Sequence, residues 1–168
     1  AHHHRCRRQR QMCIRDSDTG DMGKLTYSGH GGSGPVGAWD DLVPTANEES
    51  HGTAIAGTQD GPTSSDIGTD SFIYDYTITD GVALKAAYKP SKSGGLDSST
   101  EIGVQYTGID GLTVSFAAGE NNAAADQIDL SVFSANYSAG PMSFGIQVNE
   151  TDHGTGANSE DFTAYGVS

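Results

Sequence analysis

Between residues 71 and 150, bulky apolar side chains fall on every second position, in short segments separated by turn-forming residues. A period of two marks strands, whose side chains point alternately to opposite faces. Phe72, Tyr74, Tyr76 and Ile78 alternate with the polar Asp75 and Thr77, and Val82, Leu84, Ala86 and Tyr88 alternate with Ala83, Lys85, Ala87 and Lys89. The same rhythm places Ile102, Val104 and Tyr106 against Glu101, Gly103, Gln105 and Thr107, and recurs in Leu112, Val114, Phe116 and Ala118 and in Met142, Phe144, Ile146 and Val148. One segment changes phase. Ile128, Leu130 and Val132 sit on even positions but Phe133, Ala135 and Tyr137 on odd ones, which predicts a one-residue bulge near Phe133. Lys24, Leu25, Thr26 and Tyr27 read as a further strand, and no stretch fits an amphipathic helix as well.

The connections alternate in length. Thr79-Asp80-Gly81, Gly108-Ile109-Asp110-Gly111 and Ala139-Gly140-Pro141 are tight hairpin signals, with Gly81 able to take the left-handed conformation. The intervening runs 90–100, 119–126 and 150–161 are longer and polar. A soluble sandwich also alternates along its strands, but short turns at one end and long loops at the other are characteristic of outer-membrane barrels. Eight residues at ~3.4 Å each, tilted by roughly 40°, span about 20 Å of membrane normal, close to the ~25 Å apolar band of such barrels. Tyr74, Tyr76, Tyr88, Tyr106, Phe116 and Phe144 share the apolar face, several near strand ends where interfacial aromatics belong.

Composition would suggest an acidic soluble domain: 168 residues, 23 Gly, 35% hydrophobic and a mean hydropathy of -0.45. A barrel has the same composition, because only alternate residues face lipid. Residues 1–17 stand apart. Met12-Cys13-Ile14-Arg15-Asp16-Ser17 resembles the translation of a sequencing adapter, and the His and Arg runs before it read as more non-native sequence without the apolar stretch of a signal peptide. This segment carries +4, and removing it from the formal -13 leaves -17, which argues against nucleic-acid binding. It also holds both cysteines, Cys6 and Cys13, so a disulfide framework is not expected in residues 18–168.

Residues 29–70 are rich in Gly, Ser, Thr, Asp and Pro, and a connection of about forty residues in a domain is usually functional or disordered. Its apolar island Val36-Gly37-Ala38-Trp39, with Leu42 and Val43, gives it something to pack with and favours an ordered loop.

With that loop in place, the chain resembles the general porins of Gram-negative outer membranes. The resemblance rests on the strand 23–28 running into a long acidic loop, on Ser71-Phe72-Ile73-Tyr74-Asp75, and on Gly81-Val82-Ala83-Leu84-Lys85-Ala86-Ala87-Tyr88. It continues through Ile102-Gly103-Val104-Gln105-Tyr106 and Gly140-Pro141-Met142-Ser143-Phe144-Gly145, so that it covers most of 18–168. It implies an all-β fold, an antiparallel transmembrane β-barrel of about sixteen strands, with about eight present here as an incomplete barrel. It also implies a homotrimer in the outer membrane, in contact with the bilayer and lipopolysaccharide, passing small hydrophilic solutes and ions by diffusion without a cofactor.

In that family a long loop folds into the lumen, and its acids face basic residues on the wall. By position, 29–70 looks like that loop, so the resemblance implies Asp40, Asp41, Glu48 and Glu49 as its acids, facing Lys24, Lys85 and Lys89 on the polar face of the wall. Fixed charges act strongly in a narrow low-dielectric pore, and acidic rings favour cations. Residues 18–168 depart from the family in having no arginine, which leans the expected pore towards cations.

Nothing points to catalysis or metal binding. His30, His51 and His153 lack paired ligand spacing, Gly31-Gly32-Ser33-Gly34 lacks the context of a phosphate loop, and no nucleophile, base and orienting acid form a set. Both ends read as interrupted, which would leave an incomplete barrel with two unpaired edges. The competing expectation is a secreted acidic β-sandwich for binding or adhesion, with its apolar face packed against a second sheet.

Overall fold

The computed structural model describes residues 14–40, 42–44, 65–91, 97–122, 127–154 and 159–168. Among them are nine strands, β1 (Ile14–Asp18), β2 (Lys24–Ser28), β3 (Ser71–Thr79), β4 (Val82–Lys89), β5 (Ser99–Ile109), β6 (Leu112–Asn121), β7 (Ile128–Ala139), β8 (Met142–His153) and β9 (Glu160–Val167), and one short helix, α1 (Pro35–Trp39). The strands form a single antiparallel sheet in the order of the sequence, open at β1 and β9. The all-β antiparallel expectation therefore holds. Nine strands replace the expected eight because Ile14–Asp18, mostly within the segment read as non-native, pairs along β2 with Ile14 opposite Ser28 and Asp18 opposite Lys24.

The connections alternate in length as the sequence suggested, but the strands run into the expected loops, β5 from Ser99, β6 to Asn121, β8 to His153 and β9 from Glu160. Asp80 and Gly81 turn β3 into β4, and Asp110 and Gly111 turn β5 into β6; the glycines have φ of 77° and 76°, where a side chain would be strained. The ladder slips near both turns, between Thr77 and Thr79 and between Tyr106 and Ile109. The expected bulge near Phe133 is absent. β7 pairs without interruption from Ile128 to Tyr137 on β6 and from Ile128 to Ala139 on β8. The change of phase has another cause: Ile128, Leu130 and Val132 are buried on the largely polar face, while Phe133 and Tyr137 lie on the apolar one.

The sheet's polarity is opposite to that of a soluble domain with one buried apolar face. Phe72, Tyr88, Ile102, Val104, Tyr106, Phe116, Phe133, Tyr137, Phe144 and Val148 are exposed, Ile102 at 56% and Phe116 at 53%. Cross-strand neighbours make this face continuous: Leu84 lies opposite Val104, Val104 opposite Phe116, Phe116 opposite Phe133 and Phe133 opposite Val148. The other face buries Ser71, Ser99, Glu101, Ser115, Ser134, Gln147, Asn149 and Thr151. Over it lies the segment that follows β2.

Candidate functional site

The covering segment begins with α1. Pro35 opens the helix at a position where its missing N–H costs nothing, and Val36 and Trp39 turn their side chains onto the sheet. They pack with Ala117, Ile128, Leu130 and Val132, with Ala38 and Leu42 at the margin. The phase change in β7 is thus the apolar seat for this helix. At roughly 25 cal/mol per Å2 of apolar surface, removing these groups from water drives the docking.

The sheet is shaped to receive the segment closely. A Cβ on Gly103 of β5 would collide with the Trp39 ring and with Pro35, and Cβ atoms on Gly145 and Gly166 would collide with Pro44 and Val43. Beyond the helix the backbone is tied down by amide side chains. Asn149 Nδ2 donates to the Asp40 carbonyl at 2.9 Å, the Leu42 N–H donates to Gln147 Oε1 at 2.8 Å, and Gln147 Nε2 donates to Asn149 Oδ1 at 3.1 Å. Gln147 is 1% exposed, and these bonds satisfy amide groups that would be costly to bury alone.

The returning leg docks beside it. Ile67 packs with Ile73 and Ala87, and Lys89 pairs with the Asp66 carboxylate while donating to the Asp66 carbonyl at 2.9 Å. Glu101 touches both legs: one carboxylate oxygen accepts the Val36 N–H at 3.0 Å and the other accepts the Ser65 hydroxyl.

The strands β1 to β4 carry a row of charges. Asp18 lies opposite Lys24, Lys24 opposite Asp75, and Asp75 opposite Lys85. Lys85 and Asp75 are joined at 3.2 Å, and Lys24 pairs with Asp16 at 3.1 Å. The row borders a cavity of about 670 Å3, lined also by Asp21, Trp39, Ala83 and Gln105. Trp39 forms its boundary on the side of the covering segment.

Of the expected site residues, Lys24 and Lys85 border the same cavity. Lys24, Lys85 and Lys89 all lie on the polar face, and Asp40 lies on the covering segment, where its carbonyl is bound by Asn149. Asp41, Glu48 and Glu49 lie outside the described residues. The three lysines pair with Asp16, Asp75 and Asp66, and sequence reasoning singled out none of these acids. Asp75 was within reach of it, since the hairpin turn sets the register that places it across from Lys85. Glu101 was read only as one polar position in an alternating strand, and its two contacts come from residues distant in sequence.

No group of three or more His, Cys, Asp or Glu side chains suited to a metal ion occurs among the described residues. None of the described helices is long and apolar enough to cross a membrane, which says nothing about crossing by strands. Comparison with protein-family models, curated proteins and solved structures gives no match. Fold and site together define an open antiparallel sheet with an exposed apolar face and a polar face spanned by a docked segment.

Proposed function

We propose that the chain forms wall and constriction of an outer-membrane diffusion porin, a water-filled channel for small hydrophilic solutes and ions. The observation that carries this is the sheet's polarity: apolar and aromatic residues occupy the face left open, while serine, amide and charged residues occupy the face beneath the docked segment. Lipid outside and water inside ask for that arrangement, and strands with satisfied backbone groups can provide it. The alternation of tight turns with longer connections supports the same function. So does the docked segment, which narrows the space over the polar face and leaves the charged row of β1 to β4 beside an open cavity. Lys24, Lys85 and Lys89 are each matched by an aspartate, so the wall presents little net positive charge and the channel leans towards cations.

Phase partition between detergent micelles and buffer tests the proposal. A lipid-facing wall sends the purified chain into the detergent phase. A monodisperse chain in buffer without detergent, with the apolar face shielded from a hydrophobic dye, would overturn it in favour of a sandwich with its apolar face covered.

A further inference from the structure

We propose that Glu101 is the positioning residue of the docked segment, a single carboxylate that fixes both of its legs against the wall and so sets where Trp39 stands. Within the porin reading, on which this last consequence rests, that position defines the constriction; the latch itself requires only the bonds of Glu101 to Val36 and Ser65.

Glu101 is only 4% exposed. A carboxylate is costly to bury unless hydrogen bonds satisfy it, and both oxygens of Glu101 are occupied, one by the Val36 N–H at 3.0 Å and the other by the Ser65 hydroxyl. These donors belong to opposite legs, one leaving β2 and one returning to β3. The backbone is cleared on two sides to admit the carboxylate. A Cβ on Gly34 would collide with its Oε2 and carboxylate carbon, and one on Gly119 would collide with its Cγ. Two residues along the same strand, on the same face, Gly103 provides the notch for the Trp39 ring. Latch and seat are thus spaced by the strand repeat, and the bond to Val36 holds the first turn of the helix that ends in Trp39. At the far end Asn149 and Gln147 make separate bonds to Asp40 and Leu42, so loss of the latch frees the near end while the far end stays tied.

Trp39 is the only tryptophan of the chain and 8% exposed, so its emission reports docking directly. In the full chain in detergent, Glu101→Ala shifts Trp39 emission to longer wavelength and raises acrylamide quenching about two-fold or more, as local opening exposes the ring. Glu101→Gln retains wild-type emission, because its carbonyl accepts from Val36 and its amide donates to the Ser65 oxygen. Gly103→Val evicts the ring with Glu101 intact and provides the undocked reference. Unchanged emission and quenching in Glu101→Ala, with strand content preserved by circular dichroism, would overturn the proposal. If Glu101→Ala does not fold, Glu101→Asp decides: it keeps the charge but lacks the reach for both legs, and wild-type shielding of Trp39 refutes the latch. Detergent partition fails or succeeds independently of this signal, so the latch and the porin reading are separable.

Discussion

At the scale of single residues, the same side-chain chemistry has opposite consequences on the two faces. Leu130 is 4% exposed beneath α1, and Leu130→Ala removes packing around Val36 and Trp39; a loss of about 2–5 kcal/mol is expected by denaturant unfolding in detergent. Phe116 lies mid-strand on the open face, between Val104 and Phe133. If lipid covers that face, Phe116→Lys costs about 2–4 kcal/mol in a bilayer. A change within about 0.5 kcal/mol, the usual effect of a surface substitution, would mean that water covers it. The ion pairs are more modest contributors. Lys24 and Asp16 are each roughly half exposed, so solvent screening leaves that pair a minor contributor to stability. Their effect is on the field over the polar face, not on stability.

At the scale of elements, length and position in the sheet set the order of local stability. β6, β7 and β8 have 10, 12 and 12 residues and pair along both edges, whereas β1 has five residues and pairs only with β2. Hydrogen exchange should therefore be slowest in β6 to β8 and fastest in β1, with β9 between them; equal protection of β1 and β7 would show that something closes the β1 edge. β7 also shows how element-scale reading of the sequence went astray. A switch of apolar phase normally signals a bulge, and the register instead runs straight because α1 supplies a local apolar partner on the polar face. The clue was present in the island from Val36 to Trp39, which needed somewhere to dock. What sequence periodicity lacked was the distance between that island and β7.

At the scale of the whole molecule, the open edges limit what this sheet does by itself. β1 and β9 do not pair with each other, and their unpaired backbone groups would be expensive in hydrocarbon. Planar-bilayer recordings of the chain alone should show no stable channel; steady single-channel steps would mean that the edges meet, in one copy or between copies. The pairing of β3 with β4, β5 with β6 and β7 with β8 was legible from the alternation and the turn signals, because neighbouring strands joined by tight turns have little choice of partner, whereas the pairing of β1 was not. Part of the polar face was legible too. Lys24, Lys85 and Lys89 were assigned to the polar face by parity alone, and parity is a local property of a strand.

The amino-acid sequence by itself determined β2 to β8, their hairpins and, outside the first half of β7, the face on which their side chains lie, since a period of two and a turn residue act over a few positions. Tertiary structure decided what covers each face. The docking of Val36 and Trp39 on β7, the notch at Gly103 and the two-legged contact of Glu101 join residues far apart in the chain, through close packing and buried hydrogen bonds that no local pattern encodes.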